Sequence, residues 1–320
     1  MQRSDTDAAL LRIGARGSPL ALAQARMARD AIAAAAGVPD AEAEARFPIV
    51  VIATSGDRIQ DRKLAEAGGK GLFTKELEEA LADGRIDVAV HSMKDVPTRP
   101  PEELAIVAIM EREDPRDAFL SPVADHLDAL PQGALLGTAS LRRQAQALAR
   151  RPDLEIVMFR GNVGTRLDKL AQGVAHATFL AAAGLKRLGR AEVITSLIPT
   201  DVLLPAAAQG AVGLQILAAN AAARELCARV DHAESALRIA AERGFLDALD
   251  GSCRTPIAAL AERTNDGLRL RAEALTPDGT QRWARDATQA VASAAEAAAF
   301  GRTIGDAIRD EAGPALAAVL

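Results

Sequence analysis

The sequence predicts an α/β protein: two β-α-β-α-β halves followed by a smaller α+β region. Three observations lead there. Short apolar runs alternate with alanine- and leucine-rich helical stretches over residues 12–182, capping residues stand directly after several of those runs, and the alternation changes from about residue 231. At 320 residues the chain is longer than one ordinary core, so two or three domains are expected.

Residues 12–16 (RIGAR) read as a strand entering the turn Gly17-Ser18-Pro19. Ser18 is a good N-cap and Pro19 a good first helical residue, and the alanine-rich 20–36 continues as a helix. Residues 48–53 (PIVVIA) are the next strand. The loop Gly68-Gly69-Lys70-Gly71 precedes a helix with Leu72, Phe73, Leu77 and Leu81 on one face, and 86–90 form a strand that ends at His91. In the second half, 134–138 are a strand and Ser140 caps a helix to about Arg150. A strand at 154–159 follows, then Gly161-Asn162 opening a helix near 163–172, then a strand at 177–182. Each half is thus expected to hold a largely parallel sheet flanked by helices. Residues 111–117 (EREDPRD) and 199–213 (PTDVLLPAAAQGAVG) read as crossings between the halves. Beyond them come a helix from Glu234 to Leu249, the loop Asp250-Gly251-Ser252-Cys253, strands near 256–261, 268–275 and 281–286, and a helix from about 289. The expected division is 1–112 with 208–230 as the first domain, 113–207 as the second and 231–320 as a C-terminal domain.

A formal charge of −5 argues against nucleic acid as a partner, and seven Phe, one Trp and no Tyr leave no platform on which single strands could stack. Two cysteines are too few for a disulfide framework, and Cys227, His232 and Cys253 lack metal-finger spacing, so no metal is expected. No stretch reaches the roughly 18 apolar residues of a membrane span. Residues 1–10 lack the apolar core of a signal peptide, so the cytoplasm is the expected compartment.

Ligands of such sheets sit beyond the carboxyl ends of the strands. The segments there carry Arg16 and Ser18; Ser55, Gly56 and Asp57; His91, Ser92, Lys94 and Asp95; Thr138, Ser140, Arg142 and Arg143; Arg160 and Asn162; and Gly184, Lys186 and Arg187. A polar, basic cleft between two halves is expected. In HSMKDVPT at 91–98, Asp95 can stabilise a developing cation and shuttle protons, or form a solvated ion pair on a turn. Arg16, Arg142, Arg143, Arg160, Arg166 and Arg187 can grip carboxylate or phosphate in two parallel hydrogen bonds, or sit in ordinary salt bridges. Basic residues after the cap Ser140 oppose the helix dipole, a cost that an anionic ligand removes. Gly68-Gly69-Lys70-Gly71 is a poor Walker loop, with Leu64 at the first glycine position and Gly71 at the hydroxyl position, so nucleotide binding is not expected. Cys253, beside Arg254, is either a thiolate nucleophile or structural; Cys227, in ARELCARV, reads as a buried small apolar residue.

Taken together, these segments resemble the porphobilinogen deaminase (hydroxymethylbilane synthase) family over nearly the whole chain. The residues that carry the resemblance are RGSPLALAQ at 16–24, GGKGLFTKELE at 68–78, AVHSMKDVP at 89–97, EREDPRDAF at 111–119 and GTASLRRQ at 137–144. They continue with RRPDL at 150–154, RGNVGTRLDKL at 160–170, AGLKRLG at 183–189, QGAVG at 209–213 and DGSCRTPI at 250–257.

The resemblance implies two periplasmic-binding-protein-like α/β domains with a hinge, plus a C-terminal α+β domain carrying the cofactor cysteine. It implies a dipyrromethane cofactor held by Cys253 through a thioether. Four porphobilinogen units are then added head-to-tail, each with release of ammonia, to give hydroxymethylbilane for tetrapyrrole (haem, chlorophyll and cobalamin precursor) biosynthesis. Asp95 is the implied catalytic residue. Lys94, Asp95, Thr138, Ser140, Arg142, Arg143, Arg160, Gly161 and Asn162 are the implied cofactor contacts. Arg16, Ser18, Phe73, Arg160, Arg166, Arg187 and Gln209 are the implied substrate contacts, with the loop from about Ile59 to Gly71 as a flap and the protein a monomer. Ala139 departs from the usual Ser, Ala208 from a common Gly, and Ser252 from the Gly that often precedes the cysteine. Two rivals are a non-catalytic anion-binding protein on the same plan, which needs the arginines but neither Asp95 nor Cys253, and a transcriptional effector-binding domain.

Overall fold

The computed structural model describes residues 9–55, 73–250 and 255–317. They fall into two compact units, one of 9–55, 73–112 and 211–236, the other of 113–210 with the described residues from 237 onward.

The first unit runs β1 (Ile13–Arg16), α1 (Pro19–Ala35), α2 (Asp40–Arg46), β2 (Ile49–Ile52), α3 (Lys75–Ala82), β3 (Val88–Ser92) and β4 (Leu104–Ile109). After the excursion into the other unit come β10 (Val212–Leu217) and α7 (Ala221–Ala228). Its sheet has the order β2-β1-β3-β10-β4, with β1 parallel to β2 and β3 and with β10 antiparallel to both neighbours. The central strands are covered on both faces, and so Ile13, Ala15, Val88, Ala89 and Val90 form an unbroken apolar run rather than an alternation. Ser18 caps α1 by accepting the Ala21 N–H at 3.3 Å, with Pro19 in the first turn where a missing N–H does no harm.

The second unit repeats this plan. It contains β5 (Asp117–Leu120), β6 (Leu135–Gly137), α4 (Leu141–Arg150), β7 (Glu155–Val157), α5 (Val163–Ala171), β8 (Ala177–Ala181), α6 (Ala182–Arg187) and β9 (Ser196–Leu197). The order is β7-β6-β8-β5-β9, and β5 is antiparallel to β8 and β9. Each sheet is therefore a parallel β-α-β-α-β core with one reversed strand inserted beside the third. Both reversed strands, β5 and β10, begin at the end of a segment that the sequence presented as a crossing. Pro115 before β5, and Gly210 and Gly213 around the start of β10, make the strand starts look like loop.

The C-terminal elements are α8 (Ala233–Ala248), β11 (Ile257–Thr264), β12 (Gly267–Leu275), β13 (Arg282–Gln289) and α9 (Ala294–Ala317), which bends at Gly313 (φ 52°) before Pro314. Alternation on β12 buries Leu268, Leu270, Ala272 and Ala274 against Phe245, Phe300, Ile304 and Ile308. The opposite face meets the second half: Arg271 donates to Thr200 Oγ1 at 2.6 Å, and Gln144 on α4 donates to the Pro277 carbonyl at 3.1 Å. The described residues from 237 onward share one compact unit with 113–210.

Local contacts hold residues 208–210 in the same compact unit as 113–207. The fully buried Glu242 accepts the Ala208 N–H at 2.6 Å and the Ala261 N–H at 2.8 Å, and Gln209 donates to Asp117 at 3.0 Å. Ala208 is held there at φ 62°, in the left-handed region where a β-carbon is penalised by about 1–2 kcal/mol. Ala208→Gly relieves that strain and gives back part of the gain as unfolded-chain entropy. The expected outcome is a stabilisation of about 0.5–1 kcal/mol, measured as a rise in the urea midpoint; a fall in the midpoint contradicts the assignment of strain.

Candidate active site

In the first unit, three strand ends carry the polar residues. β1 delivers Arg16, whose guanidinium lies 4.1 Å above the centroid of the Phe73 ring. A cation over an aromatic face is stabilised by about 0.5–2 kcal/mol. β2 leads to Ser55, held by Glu76 through both its N–H (2.7 Å) and its hydroxyl. β3 ends at Ser92, which exchanges hydrogen bonds with Gln24 at 2.9 and 3.1 Å, and passes into a single 3-10 turn, Met93–Asp95. Met93 is 1% exposed and its N–H is bonded to the Ala211 carbonyl, so the turn is anchored from within. Lys94 and Asp95 on the same turn stay half-buried. Among the described residues nothing forms a hydrogen bond or ion pair with the Asp95 carboxylate. His91, by contrast, is buried, with Nε2 2.9 Å from Gln215 Oε1, and belongs to the sheet rather than to the site.

In the second unit, the group is built at the ends of β6 and β7 and the starts of α4 and α5. Gly137 closes β6 directly under the Phe159 ring, where a β-carbon would come within 2.6 Å of ring atoms. The glycine therefore allows Phe159 to pack inward and the chain to emerge as Arg160-Gly161-Asn162. Gly161 sits at φ 113°, which favours glycine, and Asn162 then caps α5 by accepting the Thr165 N–H at 3.0 Å. Thr138 Oγ1 accepts the Ser140 N–H at 3.1 Å, and Ser140 Oγ in turn accepts the Arg143 N–H at 3.4 Å. Each of these three side chains uses an oxygen as acceptor. The hydroxyl protons of Thr138 and Ser140 and the Asn162 amide N–H groups are left as donors among the described residues.

Arg142 and Arg143 are 4% and 6% exposed. Arg142 donates to Asp117 Oδ2 at 2.7 Å and to the Leu204 carbonyl at 2.7 Å; Arg143 donates to Asp117 Oδ1 at 2.6 Å and to the Phe179 carbonyl at 2.9 Å. Sequence reading expected an external anion to relieve these first-turn cations. The structure supplies an internal one, leaving only Nε of each arginine without a hydrogen-bond partner among the described residues. Burial alone would raise the Asp117 pKa, but the charges of Arg142 and Arg143 and the hydrogen bonds from Arg143 and Gln209 hold it well below the usual carboxylate range.

The remaining cations have less protein to answer them. Arg160 Nη1 is buried with no hydrogen-bond partner among the described residues. Arg166 donates Nε–H to the Gly161 carbonyl at 3.0 Å, and its pKa is pushed down to about 10 by burial and then by the charges of Arg143 and Arg160. Arg187 donates to the Gly210 carbonyl at 2.7 Å, with burial lowering its pKa and Glu113 opposing. Gln209, expected from sequence as a substrate contact, is 1% exposed, and its amide nitrogen donates to the Pro115 carbonyl (2.8 Å) and to Asp117 (3.0 Å).

Cys253 and its neighbours Gly251, Ser252 and Arg254 lie outside the described residues, as does the expected flap through Gly71. Cys227 is fully buried on α7, and burial pushes its thiol up to about 12, as its apolar setting in the sequence led one to expect. The residue missed from sequence is Asp117. The available signal was an acid opening the apolar run DAFL, a position that only a buried counter-charge makes tenable. Among the described residues no cluster of three His, Cys, Asp or Glu could hold a metal ion, and no helix is long and apolar enough to cross a membrane.

Comparison with known proteins gives this arrangement a family. A family model described as "Porphobilinogen deaminase, dipyromethane cofactor binding domain" matches residues 11–225, and one described as "Porphobilinogen deaminase, C-terminal domain" matches residues 236–310. The porphobilinogen deaminase of Paracoccus denitrificans (strain Pd 1222) is 53% identical over 302 residues, covering 94% of this chain and 94% of that protein. That of Caulobacter vibrioides (strain NA1000 / CB15N) is 54% identical over 313 residues, covering 96% and 97%. Among solved structures, an ABC transporter periplasmic substrate-binding protein from Coxiella burnetii aligns at 12% identity and a TM-score of 0.43, over 69% of this chain and 91% of its own, a likeness too loose to bear on function. The rival readings, a non-catalytic binding protein and a transcriptional effector domain, have no such support. Two family models cover nearly the whole length, and the relatives match it end to end at more than half identity: the chain belongs to the porphobilinogen deaminase family.

Proposed function

We propose that the chain is a transferase that joins four porphobilinogen molecules head-to-tail, with release of ammonia, into hydroxymethylbilane for tetrapyrrole biosynthesis. It acts as a cytoplasmic monomer on a dipyrromethane primer carried by Cys253 through a thioether. Of the two cysteines in the sequence, Cys227 is fully buried, which leaves Cys253 as the thiol for the attachment.

The observation that carries the reading is the excess of cationic donors in the second unit. Among the described residues Arg143 Nε and Arg160 Nη1 are buried without hydrogen-bond partners, and Arg166 is crowded by Arg143 and Arg160. Such a set fits a ligand bearing several carboxylates, each of which can accept two charge-assisted hydrogen bonds. Arg142, Arg143, Arg160, Arg166 and Arg187 are therefore assigned to the acetate and propionate groups of the cofactor and growing chain, with Lys94 and Arg16 in the same role from the first unit. Thr138, Ser140 and Asn162 add neutral donors, Gly161 lets the backbone turn between Arg160 and the α5 cap, Ser18 fixes the turn after Arg16, and Phe73 backs the Arg16 guanidinium. When bound, the dipyrromethane supplies a free pyrrole α-carbon as the nucleophile for chain extension.

Asp95 is assigned the proton chemistry. A carboxylate with no partner among the described residues can accept a pyrrole N–H, lower the energy of a cationic ring beside it, and take up or return a proton as ammonia leaves.

Intact mass tests the covalent assignment. The purified protein is expected to exceed its sequence mass by two porphobilinogen-derived rings and Cys253→Ser to lack the increment; an unmodified, fully active enzyme contradicts it. Asp95→Ala is expected to load the cofactor yet turn over at least about 10²-fold more slowly, and near wild-type turnover would remove Asp95 from the mechanism. Arg166→Gln is expected to raise KM for porphobilinogen by roughly tenfold or more, the loss of one charged hydrogen bond; an unchanged KM contradicts the carboxylate assignment.

A further inference from the structure

We infer that Asp117 is a positioning residue for this reaction: its buried carboxylate fixes the two adjacent guanidiniums, Arg142 and Arg143, in the orientation in which they meet the carboxylates of the ligand. The inference rests on the reading of the site given above.

The geometry is that of a two-point clamp on each arginine. Asp117 opens β5, where it pairs with Ala181 of β8, and has no exposed surface. Its two oxygens are divided between the arginines, Oδ2 to Arg142 and Oδ1 to Arg143. The other terminal nitrogen of each arginine is bonded to a backbone carbonyl from a different part of the fold, Leu204 for Arg142 and Phe179 for Arg143. A guanidinium is planar, so two fixed nitrogens fix the whole group. Gln209 donates to Oδ1 and holds the carboxylate from a third side. Arg142 and Arg143 are consecutive on α4 and would otherwise fan apart around the helix by its turn per residue. Their convergence on one carboxylate brings them back together.

Charge points the same way. Two guanidiniums against one carboxylate leave one net positive charge, so Asp117 orients the pair without cancelling its attraction for an anion. A device that served only to fasten α4 to β5 could use apolar groups, which buried ion pairs seldom outperform in stability.

The test replaces the carboxylate and then returns it. In Asp117→Ala, porphobilinogen turnover is expected to fall by about 10²-fold, the loss associated with a misplacement of around 1 Å. Sodium formate, a free carboxylate small enough for the vacated space, is expected to restore turnover by at least about tenfold over sodium chloride of equal ionic strength and to raise the melting temperature of that variant alone. Leu120→Ala, a core truncation on the same strand, controls for destabilisation and is expected to keep turnover within about threefold of wild type with no response to formate. Turnover of Asp117→Ala within about threefold of wild type overturns the inference, as does a loss matched by Leu120→Ala with no effect of formate. If Asp117→Ala does not fold, Asp117→Glu decides: it keeps the charge but displaces it by one methylene, and full turnover would overturn the positional claim. Failure of the wild type to consume porphobilinogen would count against the functional reading instead, and the formate-dependent melting temperature would still decide whether a carboxylate at this place holds the arginines.

Discussion

Burying a lone carboxylate is unfavourable by several kcal/mol, and Asp117 is tolerated with no exposed surface because two guanidiniums and an amide converge on it. That convergence ties together the start of β5, the first turn of α4, the end of β8 and the 204–209 segment, all of which would lose a partner with it. Removing one member of such a buried set typically costs about 3–5 kcal/mol, chiefly because the others are left charged and unanswered. The arrangement is better understood as a means of placing cations than as a source of stability.

Asp117 and Asp95 sit in opposite environments, each within its own unit. Asp117 is enclosed and saturated, and its charge is committed to Arg142 and Arg143. Asp95 lies half-buried on a 3-10 turn with its carboxylate unanswered by the described residues, which suits the proton transfer proposed for it. The cations are graded likewise. Among the described residues Arg142 is pinned at two nitrogens, Arg166 only through Nε to a carbonyl, and Arg160 keeps a buried nitrogen without a partner. A chain of net charge −5 thus concentrates positive charge in one region, which draws in a polyanionic ligand while the molecule as a whole repels it.

Much of this could be read from sequence because caps and strand ends are local. Ser18, Ser140 and Asn162 cap the helices expected of them, and the parallel core of each sheet follows from its β-α-β-α-β rhythm. The reversed strands were hidden because their starts carry proline and glycine, and strand direction depends on where the chain returns from, not on its residues. Arg142 and Arg143 stood out in the sequence as candidate ligand cations, but their internal anion did not: Asp117 lies 25 residues from Arg142 and 26 from Arg143, at the last residue of a segment read as a crossing. The left-handed Ala208 was visible only as an alanine where glycine is common. Its strain follows from Glu242, which is 34 residues away.

The claim at the centre of this account is that Asp117 remains ionised between the two guanidiniums. Because its pKa is depressed in the folded state, the stability it contributes is present above the unfolded value of 3.8 and is lost only as pH falls through the lower folded value. An NMR titration of the Asp117 carboxyl carbon tests this directly. The account predicts a carboxylate that stays ionised through the ordinary aspartate range for as long as the chain is folded; a proton taken up near 3.8 would contradict it.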